Sequence, residues 1–117
     1  MSTLILSELK EETMSEQLKR EQCTRCAVKH LGQARALMLE TKKGYPHHIW
    51  YAMGHMAEAE DEISEIQPEC ATMIRESRVK LEDQLKHSTV ENFNGEMPDF
   101  KKLMYAVAED GMLEETL

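Results

Sequence analysis

The stretch Leu37-Met-Leu-Glu-Thr-Lys42-Lys43-Gly44-Tyr45-Pro46-His47-His48-Ile49-Trp50 decides how this chain folds. To its left and right run apolar residues at helical spacing, and the middle carries both a stop and a start signal. Gly44 suits the position just past a helix because it adopts positive φ without steric cost, and Lys42 and Lys43 oppose the negative end of the helix dipole. Pro46 suits the first position of the next helix, where its missing N–H would be unpaired in any case. Two helices joined by so short a connection must run antiparallel.

Working outward, Thr13-Met-Ser-Glu16 fits a capping box and starts the first helix. At about 100° per residue, Cys23, Cys26, Ala27, His30, Leu31, Ala34, Leu37 and Met38 form one stripe, which predicts the core-facing side. The second helix, Pro46 to Ile66, places Ile49, Ala52, Met53, Met56, Ala59, Ile63 and Ile66 inward. Its solvated side is Tyr51, Glu58, Asp61 and Glu65. Gln67-Pro68 ends it, because proline drives the preceding residue out of the α region. A third helix follows from Pro68 to about His87, with Cys70, Met73, Ile74, Ser77, Leu81 and Leu85 inward. Ser88 to Met97, with Asn94-Gly95, has turn chemistry. Pro98-Asp99 opens a fourth helix, which buries Phe100, Leu103, Met104 and Val107 and ends at Gly111. No β alternation, internal repeat or glycine-rich phosphate loop interrupts this pattern. The expected architecture is all-α, an antiparallel helical bundle built on a long two-helix hairpin plus two further helices. Residues 15–117 form a single domain, and residues 1–14 a weakly ordered or oligomerising arm.

Composition sets limits on function. With 117 residues and a net charge of −8, the chain offers no counterion-release term to a phosphate backbone, so nucleic acid is not an expected ligand. An acidic surface instead suits a protein partner, a basic one included. The apolar run Leu4-Ile-Leu6 is far too short for a membrane span or a signal-peptide core, so a cytoplasmic location is expected and no membrane contact. Three cysteines, two of them three residues apart in a helical pattern, do not form a disulfide framework. Reduced thiols or metal-bound thiolates remain.

The sharpest chemical feature is Cys23-x2-Cys26-x3-His30. Its spacings put two thiols and an imidazole on one face within two turns, about 10 Å of axis, and these are ligands that tetrahedral zinc prefers. A tight hairpin about Gly44 sets Cys23 level with the Pro68 corner and hence with Cys70, giving a candidate structural zinc site of Cys23, Cys26, His30 and Cys70. The same hairpin sets His55 opposite Ala34, a turn above His30. His55 is then an alternative ligand, and Glu62 an alternative ligand or an acceptor for the ring N–H of His30. The plainer reading is that cysteines in an apolar stripe only pack, and that the histidine pairs with a carboxylate. The acidic run Glu58-Ala-Glu60-Asp61-Glu62 suggests a magnesium-dependent nucleotide pyrophosphohydrolase, with Glu58, Asp61 and Glu62 as ligands, but no facing Glu-x-x-Glu completes its cage. Trp50, on a second apolar edge of its helix, is the candidate partner contact.

The words Cys23-Thr-Arg-Cys26-Ala-Val-Lys-His30, Gly44-Tyr-Pro-His-His48 and Gly54-His55-Met-Ala-Glu58-Ala-Glu60 resemble a group of small helical proteins encoded in phage and prophage genomes. The likeness spans residue 23 to about residue 65 and implies a helical hairpin, with no particular activity. The expected function is a non-catalytic helical accessory or interaction protein, self-associating or bound to a protein partner. The alternatives are the magnesium-dependent hydrolase and an acidic decoy for a basic protein.

Overall fold

The computed structural model describes residues 13–41, 47–87 and 96–111, and everything regular in it is helical. Four helices are present: α1 (Met14–Thr41), α2 (His48–Ile63), α3 (Pro68–Lys86) and α4 (Phe100–Asp110). The Gly44 stop, the Pro46 start, the N-terminal arm and the Asn94-Gly95 turn lie outside the described residues.

Each described boundary has a local cause. The Thr13 hydroxyl accepts the backbone N–H of Glu16 at 3.1 Å, supplying one of the partners that a first turn lacks. The chain leaves α2 through Ser64, still at helical dihedrals, and breaks at Gln67 (φ −138°, ψ 68°), as Pro68 behind it requires. The Asp99 carboxylate accepts from the Lys102 N–H at 3.1 Å to cap α4. The regular part of α2 finishes three residues earlier than expected, at Ile63.

The helices close a ring: α1 packs on α2 and α4, α2 on α3, and α3 on α4. Neighbours are antiparallel throughout. His30 meets His55 while Glu40 meets His48, and Arg20 donates to the carbonyl of Gly111 at 2.8 Å while Gly32 approaches Met104. The core is aliphatic and methionine-rich, with Leu31, Met38, Ile49, Met56, Ile63, Ile74, Leu81 and Phe100 almost fully buried.

The bundle corrects the expected face of α1. Thr24, Ala27, Val28, Leu31, Ala34 and Met38 are buried, whereas Cys26 is exposed and Cys23, His30 and Leu37 are half-buried. The cause is α4, which covers the Thr24–Val28–Gly32 side of α1 and rotates the buried stripe away from Cys26. At the far end Gln67 Nε2 donates to Thr24 Oγ1 at 3.1 Å, inside the bundle. Gly111 closes over this pair, and a Cβ there would run into the Thr24 side chain and the Gln67 amide. Glycine is needed at 111 for close approach, since its φ of −80° is open to any residue.

Candidate metal centre

Along the outer edge of the α1–α2 seam the side chains are polar and half-exposed. Here the antiparallel register sets His30 of α1 beside His55 and Glu58 of α2. The two Nδ1 atoms are 3.0 Å apart, with ring centroids at 5.2 Å and planes inclined by 30°. Glu58 Oε2 lies 3.2 Å from Nδ1 of His30 and 3.9 Å from Nδ1 of His55. The spacing of three between His55 and Glu58 puts both on one face of α2. Among the described residues this is the group of three that brings metal-ligating atoms together, all within 4.8 Å of one another.

The donor set fits a metal ion on two grounds. Ligand atoms bound at about 2.0–2.1 Å to a tetrahedral zinc stand roughly 3.3 Å from each other, and the separations of 3.0, 3.2 and 3.9 Å bracket that value. With neutral imidazoles, at most one of two Nδ1 atoms 3.0 Å apart can carry the proton between them, so three lone-pair atoms share one hydrogen. A cation at their centre satisfies all three. The histidines are partly covered and Glu58 is open to solvent, so an ion can reach the site from outside.

The expected Cys3His set is not assembled. Cys70 is buried on α3, where its Sγ–H donates to the carbonyl oxygen of Ala106 on α4 at 3.6 Å, across the bundle from the α1–α2 seam. Burial, and then the negative charges of Asp110 and Glu69, push its thiol pKa up. Cys23 stands beside Glu62, two turns from His30, and its thiol is likewise pushed up, first by burial and then by the carboxylate of Glu62. Lys19, Cys23, Asp61, Glu62, Glu65 and Ile66 line a shallow cleft of about 280 Å³ there. Glu62 therefore serves Cys23 rather than His30. His55, expected a turn above His30, is its nearest polar neighbour, and Glu58, expected on the solvated side, reaches back to both histidines.

Two further polar contacts were not anticipated. Glu60, in the middle of the acidic run, is buried and receives Arg75 Nε at 2.7 Å and Arg78 at 3.1 Å. A signal existed, since Glu60 falls seven residues after Met53, four after Met56 and three before Ile63 on the apolar stripe, with arginines three apart on α3 to meet it. Burial alone would raise the Glu60 pKa, but the hydrogen bonds and charges of Arg75 and Arg78 outweigh it and hold the carboxyl below the usual range. Near the hairpin end, His48 Nδ1 lies 3.0 Å from Glu40 Oε2. Trp50 is more than half exposed. No helix among the described residues is long and apolar enough to cross a membrane. Compared with protein-family models, with curated proteins and with solved structures, the chain matches none.

Proposed function

We propose that the protein is a non-catalytic helical accessory protein whose α1–α2 hairpin is clasped by one divalent transition-metal ion held by His30, His55 and Glu58. The observation that supports this most is the convergence of two imidazole nitrogens and one carboxylate oxygen on a single point between two helices. Zinc is the ion best suited to nitrogen and oxygen donors at these separations. The metal ties α1 to α2 midway along the seam, where it adds to the buried aliphatic contacts without entering the core. Exposed Trp50 and the acidic surface are what the bundle offers a protein partner or a second copy.

A magnesium-dependent hydrolase is the weaker reading. Glu58 faces two imidazoles, poor ligands for magnesium. Glu60 is neutralised by two arginines. Zinc titration followed by calorimetry tests the proposal. Tight one-to-one binding in the wild type, lost in His55→Ala and in His30→Ala, is expected. Equal binding by wild type and both variants would refute it.

A further inference from the structure

We propose that Cys26 supplies the fourth ligand, closing a tetrahedral Cys-His-His-Glu site with His30, His55 and Glu58. The inference rests on the three-residue site and identifies how its coordination is completed. Cys26 precedes His30 by four residues, so the two share a ridge of α1 about 6 Å apart along the axis. In a helix each Cα–Cβ bond tilts toward the N-terminus, so the His30 side chain leans back toward the turn that carries Cys26. The antiparallel register puts Cys26 level with the turn of α2 just beyond Glu58.

Exposure favours the same residue. Cys26 is the exposed one of the three free cysteines and fills no space in the core, so its sulfur can swing onto an ion without leaving a cavity. Cys23 is two turns from His30, about 10 Å along the axis, and faces Glu62. Cys70 faces α4.

Charge points the same way. One thiolate and one carboxylate neutralise a divalent cation, which lets the assembly sit in a half-buried seam without a net charge to solvate. A site with four protein ligands has no open position for water or substrate, the pattern of structural rather than catalytic zinc. The chemistry selects zinc or cobalt(II) over magnesium and calcium, which take oxygen ligands.

The test is cobalt(II) substitution of the full-length protein read by absorption. Wild type should show ligand-field bands of four-coordinate cobalt together with a thiolate-to-cobalt charge-transfer band in the near ultraviolet. Cys26→Ser should lose the charge-transfer band and weaken zinc binding by at least about tenfold, since even outer-shell losses cost 10- to 100-fold. Cys23→Ser should keep the band, and far-ultraviolet dichroism should show that both variants fold. Cobalt bound to wild type without the band, or a band that survives in Cys26→Ser, overturns the role of Cys26 and leaves the three-residue site standing. A wild type that binds neither cobalt nor zinc overturns both.

Discussion

Two polar clusters join α2 to its neighbours, one on each side, and they are built on opposite principles. Toward α3, Glu60 is buried and meets two guanidinium groups, so a charge removed from water is answered twice by the protein itself. Toward α1, His30, His55 and Glu58 bring two ring nitrogens and a carboxylate oxygen within 4.8 Å of one another. The first cluster pairs a carboxylate with cationic side chains, whereas the second gathers three atoms of metal-ligand type. The acidic run that looked uniform in sequence thus divides at single-residue resolution: Glu58 turns to the seam with α1, Glu60 to α3, Asp61 to solvent, and Glu62, also exposed, to Cys23.

The sharpest way to break this comparison is to remove the complete cluster. Glu60→Ala leaves Arg78, three-quarters covered, facing an apolar helix with no carboxylate, and should cost about 3 kcal/mol in urea unfolding, the low end for a broken buried pair because Arg75 is largely solvated. A cost under about 0.5 kcal/mol would mean that the triad is a surface ornament.

Second in size is metal loading. At a free zinc concentration of 100 times Kd, unfolding should become harder by about 2.7 kcal/mol, and Tm should rise by roughly 10 °C for a domain of this size. The rise should disappear in His55→Ala but persist in full in Glu60→Gln, since the clusters share no side chain. Loss of the zinc effect in Glu60→Gln would show that the two sides are coupled.

Acid separates them next. Because the folded Glu60 pKa is lowered from its ordinary 4.5, its contribution is fully present above that value and drains away as pH falls through the lower folded one. Wild type should therefore lose more stability than Glu60→Gln as pH falls from 5 to 3, a window set by the direction of that shift. A parallel decline in the two proteins would contradict the assignment.

The smallest expected effect is at the thiol set aside by the geometry. Cys23→Ser should change stability by no more than about 0.5 kcal/mol, as substitutions at partly exposed positions usually do, and should leave zinc stoichiometry unchanged. A lost zinc would return Cys23 to the site.

The helices were legible in the chain because most of their described ends rest on local chemistry: Thr13 with Glu16, Gln67-Pro68 and Asp99 all act within a few residues, whereas Gly111 is needed for its approach to Thr24 and Gln67. The site was half legible. Spacing alone marks His30 as a candidate ligand, but its partners from α2 depend on the register of the hairpin, which periodicity does not encode. A tight turn about Gly44 sets His55 opposite Ala34, a turn from His30, yet the two Nδ1 atoms stand 3.0 Å apart. The orientation of α1 was hidden for a related reason. Nothing in residues 14–41 says that α4 will cover Val28 and Gly32, and so nothing says that Cys26 faces out while Thr24 faces in. Cys70 is the converse case, a thiol placed in the ligand set by hairpin geometry that the bundle uses only for packing and one weak hydrogen bond.

The most direct measurement is the metal content of protein purified without chelator or added metal, followed by chelation and readdition under thermal unfolding. One zinc per chain is expected, with a Tm that falls on chelation and recovers on readdition in wild type but does not respond in His30→Ala. A content near zero, with a Tm indifferent to added zinc, would leave His30, His55 and Glu58 as a hydrogen-bonded trio and nothing more.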